Sequence, residues 1–281
     1  MTGLLLVFLF AIVEAIGGWW AGSLALMGDA GHMFSDAAAL GVAVLANRLA
    51  MQPPSEQHTF GLVRAEVVAA LINGLFMLLV VSTIAYHAIH RLQEPVPVAG
   101  SMVMVIAAVG LVINIVIAVR LHQSEQTLNV RAALLHVIGD LLGSVAALIA
   151  GFVILLTGWL PIDPILSLFI CVLILLSSLR LLRDVLNVIM QSVPAGLDVA
   201  EVEQTMLGID NVMSVHDLHV WTLTSGQVVL SAHVVMTDLS RWEAVLVEMQ
   251  QCLEQQYGIL DITLQPEAGK IVSLPHSSPV I

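Results

Sequence analysis

The sequence predicts a multi-span α-helical membrane protein, six transmembrane helices followed by a C-terminal cytoplasmic α+β domain. Two observations carry this reading. The 281 residues are 58% hydrophobic and only 11% charged, with a mean hydropathy of +0.96, a composition that belongs to membrane proteins. The apolar character also stops near Pro194, where short alternating and amphipathic segments take over.

Six apolar segments, at about 4–22, 25–47, 65–89, 98–120, 130–156 and 162–183, each approach the ~20 residues that a bilayer crossing needs. The first, within MTGLLLVFLFAIVEAIGGWW, has no basic region ahead of it and no small-residue cleavage site, so it reads as a transmembrane helix and not as a signal peptide. Arg48, Arg64, Arg120, Arg131, Arg180 and Arg183 flank one set of joints, and Arg91 alone flanks the other. Bases accumulate on the cytoplasmic side, so both termini are expected there. The compact loops suggest a bacterial inner (cell) membrane. Trp19, Trp20 and Trp159 sit at outer segment ends, as interface anchors do.

Beyond Pro194, Asp198 with Glu201 reads as a capping box ahead of a short helix. VMSVHDLHVWTL and QVVLSAHVVM alternate as strands around the hairpin signal Thr224-Ser225-Gly226. Ser240 with Glu243 reads as a second capping box, Gly258 as a helix stop, and LDITLQPE as a third strand. The order is αββαβ. The expected domains are 1–190 in the membrane, 191–267 as the cytoplasmic α+β unit and 268–281 as a flexible tail. From Met190 onward 11 acids face two bases, Arg241 and Lys270, leaving −9; that charge argues against nucleic acid as a partner. Cys171 and Cys252 share no motif, so neither a disulfide framework nor a thiolate metal site is expected.

The chemistry lies in a repeated pattern: His32-x-x-x-Asp36 in GDAGHMFSDAAALG and His136-x-x-x-Asp140 in AALLHVIGDLLGS. A spacing of four puts both side chains on one helix face. Ionisable groups at membrane depth are costly and mark functional sites. At 1.5 Å per residue Asp36 lies roughly 18 Å from the outer face and Asp140 roughly 15 Å from the inner face, so the pairs meet near the midplane of a ~30 Å core if their helices adjoin. Gly139 with Gly143, and Gly31 with Ser35 and Ala39, offer small faces for close packing.

Two imidazoles and two carboxylates form a four-ligand set suited to tetrahedral zinc(II). Two carboxylates also cancel one divalent charge; once the metal leaves, carboxylates stranded in low dielectric take up protons, so metal–proton exchange follows from the ligand set. Catalytic zinc keeps an open position with a base nearby; this closed shell does not, and no enzyme is expected. Cobalt, nickel and iron(II) suit similar donors, and cadmium suits them less without Cys or Met. A zinc-responsive membrane sensor with a structural quartet is the alternative to a transporter. Of the other intramembrane polar groups, Asp29 either shapes an exit path or makes a helix-end hydrogen bond. Glu14 and Asn114 line the cavity or satisfy neighbours.

The segments SLALMGDAGHMFSD, HTFGLVRAE, LLHVIGDLLGS and VHDLHVWTLTSGQVVLSAHV together resemble the cation diffusion facilitator family, in its zinc transporter branch with His-Asp pairs on helices two and five. The resemblance implies a homodimer in the lipid bilayer, proton-coupled zinc efflux by alternating access, and a metallochaperone-like fold for the cytoplasmic domain. It matches His32, Asp36, His136 and Asp140 to the transport site. It matches His216 and His233 to tail positions where relatives bind zinc, with Asp261 standing in as an oxygen ligand and Glu267 a further candidate. His58 and Glu56 match a loop site in which Leu62 replaces a second His. His216 and His219, three apart on an alternating strand, are expected on opposite faces.

Overall fold

A computed structural model describes residues 2–50, 55–123, 128–224 and 226–269. Some side chains within its helices, His136 among them, lie outside the described residues, as does most of the expected tail, 270–281. The chain divides into two compact units that meet between Asp184 and Val185.

The first unit is built from long helices: α1 Thr2–Ala21, α2 Leu24–Ala50, α3 Ala65–Gln93, α4 Gly100–Gln123, α5 Leu128–Thr157 and α6 Ile162–Ile189. Among the described residues, α3, α4, the stretch Val137–Thr157 of α5, and α6 are long and apolar enough to cross a membrane. Phe8–Ala21 of α1 is a shorter apolar helix. α2, which carries Asp29, His32, Asp36 and Arg48, is not among the four.

The bundle core joins Ala25 and Leu26 of α2, Val81 of α3, Val103 and Ala107 of α4, Ala147 of α5, and Cys171 and Ile174 of α6. Small side chains let these helices approach closely. A Cβ on Gly151 of α5 would lie 2.7 Å from the Met104 nitrogen and 2.9 Å from the Gly100 oxygen of α4, so that crossing is a backbone-to-backbone contact. The small face of α2 meets α3: Ser35 donates to Asn73 Oδ1 at 2.8 Å, and a Cβ on Gly31 would sit 3.0 Å from Val80.

The corner between α1 and α2 is held from a distance. Gly22 turns there with φ +69°, a conformation that costs an L side chain but not glycine. Fully buried Asp163, at the start of α6, accepts from Ser23 Oγ at 2.5 Å and from the Leu24 amide at 2.9 Å, adding a cap from another helix to the local one in which the Leu26 amide donates to Ser23 Oγ at 3.3 Å. Arg91 of α3 donates to the Gly22 carbonyl.

The second unit contains α7 Val199–Leu207, β1 Val212–Thr224, β2 Gln227–Met236, α8 Trp242–Tyr257 and β3 Asp261–Ala268. The αββαβ order is the one expected. Strand order is β1-β2-β3, with β1 antiparallel and β3 parallel to β2. Val202 and Met206 of α7 and Val245, Met249 and Leu253 of α8 pack on Val215, Val220, Leu230, Ala232 and Val234, covering one face of the sheet. Asp198 caps α7 by accepting from the Ala200 amide at 2.9 Å, worth ~1 kcal/mol. The second cap differs from expectation. Asp238, not Ser240, accepts from the Ser240 amide and opens a 3₁₀ turn, Leu239–Arg241, that leads into α8. Gly258 stops α8 at φ +68°.

Candidate metal centres

In the helical unit, α2 and α5 bring His32, Asp36 and Asp140 together, with one ligand atom from each lying within 4.8 Å of the others. His32 stands between the carboxylates: its Nδ1 is 3.6 Å from Asp36 Oδ2 and its Nε2 is 3.7 Å from Asp140 Oδ1. Zinc ligands at ~2.0–2.1 Å in a tetrahedron are roughly 3.3 Å apart; because the two carboxylates approach opposite nitrogens of one imidazole, side-chain rotation has to bring both to the same nitrogen before the three share one ion. All three side chains are largely withdrawn from solvent. His136 lies one turn before Asp140 on α5, and its side chain is outside the described residues.

A cavity of about 160 Å³ adjoins the group, lined by Asp29, His32, Gly139, Gly143, Ile174 and Ser177 among others. Both glycines of the α5 face are used, in different ways. Among the described residues a Cβ on Gly139 would meet nothing within 4 Å, whereas a Cβ on Gly143 would lie 2.8 Å from Asp29 Oδ1, so this second position makes room for that carboxylate.

In the sheet unit, Glu267 of β3 joins two histidines of neighbouring strands. His216 Nε2 is 3.0 Å from Glu267 Oε2, His233 Nδ1 is 2.8 Å from Glu267 Oε1, and the imidazole centroids are 5.0 Å apart. The register places His216 opposite His233, and Glu267 stands two residues beyond Gln265, the partner of His233, on the same face. The hydrogen bond to Glu267 raises the His216 imidazole above its ordinary value, helped by Asp217 and opposed by slight burial. Its bonds to His216 and then His233 hold the Glu267 carboxyl below the ordinary glutamate range.

Asp217 is the member that the sequence reading missed. His216, Asp217 and His233 offer ligand atoms within 4.8 Å of one another, and His216 Nδ1 is 3.4 Å from Asp217 Oδ2. Asp217 has φ +49°, at a register shift between His216 and His219. This β-bulge also corrects the expectation for His219. The extra residue restores parity, so His219 pairs with Ser231 and faces the same side as His216 and His233. Asp217, His219 and His233 line one cavity of about 300 Å³ with Ser231, Thr263 and Gln265. A left-handed aspartate inside a strand carries no reliable local signal in sequence.

Asp261 is corrected in the other direction. It pairs with Val229 at the start of β3, four residues or roughly 13 Å from the Gln265 level, and does not join the histidines. Glu56 and His58 lie in an exposed turn where the His58 amide donates to Ser55; among the described residues they belong to no group of three metal-binding side chains.

Comparison with known proteins agrees with both units. The cation efflux transmembrane domain model matches residues 1–190 and the cation efflux protein cytoplasmic domain model matches residues 194–268. The chain belongs to the cation efflux family. Members of this family, the cation diffusion facilitators, are transporters and not enzymes, and the chain falls in its zinc transporter branch. It is 43% identical to the zinc transporter ZitB of Escherichia coli over 261 residues, 92% of this chain and 83% of that one. It is 39% identical to the cadmium, cobalt and zinc/H(+)-K(+) antiporter of Bacillus subtilis, covering 92% of this chain and 85% of that one. It is 40% identical to the metal cation efflux system protein CzcD of Cupriavidus metallidurans, covering 92% and 82%. A solved structure, the metal-bound C-terminal domain of that CzcD transporter, is 42% identical and covers 25% of this chain and 99% of its own, with a TM-score of 0.24.

Proposed function

We propose that this cation efflux protein exports zinc(II) from the cytoplasm of a bacterial cell in exchange for protons, by alternating access. In this reading residues 1–190 cross the membrane six times with both termini cytoplasmic, and residues 191–267 form a regulatory and dimerisation domain. His32, Asp36, His136 and Asp140 hold the transported ion. The observation that carries the proposal is the convergence of His32, Asp36 and Asp140 from α2 and α5, each with a ligand atom within 4.8 Å of the others. The ligand chemistry supports exchange, because departure of zinc uncovers two carboxylates in a dry site and favours their protonation. The relatives' names, a zinc transporter and a cadmium, cobalt and zinc/H(+)-K(+) antiporter, point the same way.

In the cytoplasmic domain, His216, Asp217, His233 and Glu267 supply two nitrogens and two carboxylates, a set that suits a regulatory zinc ion. A homodimer joined through this domain fits the family of its sheet unit.

Zinc flux into proteoliposomes under an imposed pH gradient tests the central claim. The wild-type protein accumulates zinc against its gradient when the vesicle interior is more acidic than the outside, so that protons leave as zinc enters, and Asp140→Ala abolishes it. Flux that is indifferent to the pH gradient makes the protein a passive path, and no flux at all favours a sensor. Competition by cobalt and cadmium ranks the metals that the site accepts.

A further inference from the structure

Two carboxyl groups outside the metal quartet are buried beside it. Glu14 of α1 has no solvent exposure, and neither of its carboxylate oxygens has a hydrogen-bond donor among the described residues. Asp29 of α2 is 3% exposed, and its Oδ2 likewise has no donor among the described residues. The two carboxyls lie within hydrogen-bonding reach of each other, and Asp29 also reaches Ser144 of α5, which accepts from Asn114 of α4 at 3.3 Å. α1 contributes no basic residue, and the bases of α2, Arg48, and of α4, Arg120, lie in their last turns. A buried carboxylate without a donor or counter-charge is among the costliest groups a fold can hold. Two of them facing each other persist when they share a proton, which supplies the missing donor and removes one charge.

The position is as informative as the burial. Asp29 precedes His32 by one helical turn, and Ser144 follows Asp140 by one turn on a helix of opposite direction, so both steps lead toward the same end of the bundle. Asp29 and His32 line the same cavity. The titratable groups around the pair are His32 and Asp36 on α2 and Asp140 on α5, while α4 presents neutral Asn114.

We infer that Glu14 and Asp29 form a proton-holding carboxyl pair that feeds the metal quartet. The inference rests on the proton-exchange reading above and names the residues that deliver the proton. When zinc leaves, a proton passes from the pair's O–H to the freed Asp140 carboxylate, and the pair recovers one proton from the external water. For each zinc ion that departs, the pair passes one proton to Asp140, and Asp36 stays a carboxylate in this step. The narrow space that Gly143 leaves for Asp29 holds the pair in register with α5.

The experiment uses the full-length protein with Glu14→Gln and Asp29→Asn, each keeping the shape of the group it replaces. Infrared spectroscopy of the wild type at neutral pH shows a protonated buried carboxyl, and either variant removes that band. Both variants bind zinc with wild-type stoichiometry in equilibrium dialysis, and zinc uptake driven by a pH gradient falls on the order of a hundredfold, the scale of a lost proton-transfer group. Loss of bound zinc in Glu14→Gln overturns the inference by making Glu14 a ligand. So does wild-type uptake in both variants, or the absence of the band from the wild type. If the band is present and sensitive to Glu14→Gln while wild-type flux ignores the pH gradient, the carboxyl pair stands and the coupling reading fails.

Discussion

At Glu267 one carboxylate accepts from two imidazoles on neighbouring strands, so the metal-free cytoplasmic domain has a pH dependence set by named groups. The folded His216 value is raised by Glu267, so its contribution to stability is complete below the ordinary imidazole value and is lost as pH rises through the raised one. The folded Glu267 value is lowered by the histidines; its contribution is present above the ordinary glutamate value and is lost as pH falls through the lowered one. Stability of the metal-free domain therefore peaks between these two ranges. Thermal melts across that interval check this, and Glu267→Gln flattens the descent on the alkaline side. Zinc has the opposite sign, because the imidazoles must shed protons to bind it, so its affinity for the domain climbs over the pH range in which the metal-free domain loses stability. A titration in which zinc affinity is flat across the interval excludes His216 as a ligand.

Between elements, glycines separate contact from space. At Gly151 a Cβ collides with α4 backbone atoms at 2.7 and 2.9 Å, whereas a Cβ on Gly41 of α2 meets nothing within 4 Å among the described residues. Gly151→Ala is therefore expected to destabilise the detergent-solubilised protein by about 1–3 kcal/mol through forced separation of α4 and α5. Gly41→Ala stabilises it by up to about 1 kcal/mol through helix propensity. Equal thermal shifts for the two variants refute the assigned contact. Much at this scale was legible in sequence. The four-residue His–Asp spacing, the Asp198 cap and the Gly258 stop are local rules, and each is written within one turn of chain. What was not legible is long-range or conformational. Asp163 caps α2 across 140 residues, and no local pattern announces that. The bulge at Asp217 shifts the facing of His219 by one residue, which strict alternation cannot anticipate. Glu14 and Asp29 stood out as intramembrane acids, but their pairing required the packing of α1 against α2.

Across the whole chain, the two units carry separate cores. Met206, Leu230, Met236, Met249 and Leu253 are fully buried within the sheet unit, which has its own caps, hairpin and helix stop. Residues 194–268, the extent of the cytoplasmic domain match, are therefore expected to fold when produced alone, with a single cooperative thermal transition. That separability makes the tail metal measurable without the transport site. Zinc at about a hundredfold over its dissociation constant adds about 2.7 kcal/mol to the folded state, which for a domain of this size raises Tm by roughly 10–20 °C. His233→Ala removes an imidazole bonded to Glu267 and leaves the apolar core untouched, so it is expected to fold and to lose most of that rise. Asp261→Asn, at the far end of β3, is expected to keep it in full. A zinc-induced rise that survives His233→Ala, or one that Asp261→Asn abolishes, would place the metal elsewhere on the sheet and remove the reason for assigning this face a regulatory ion.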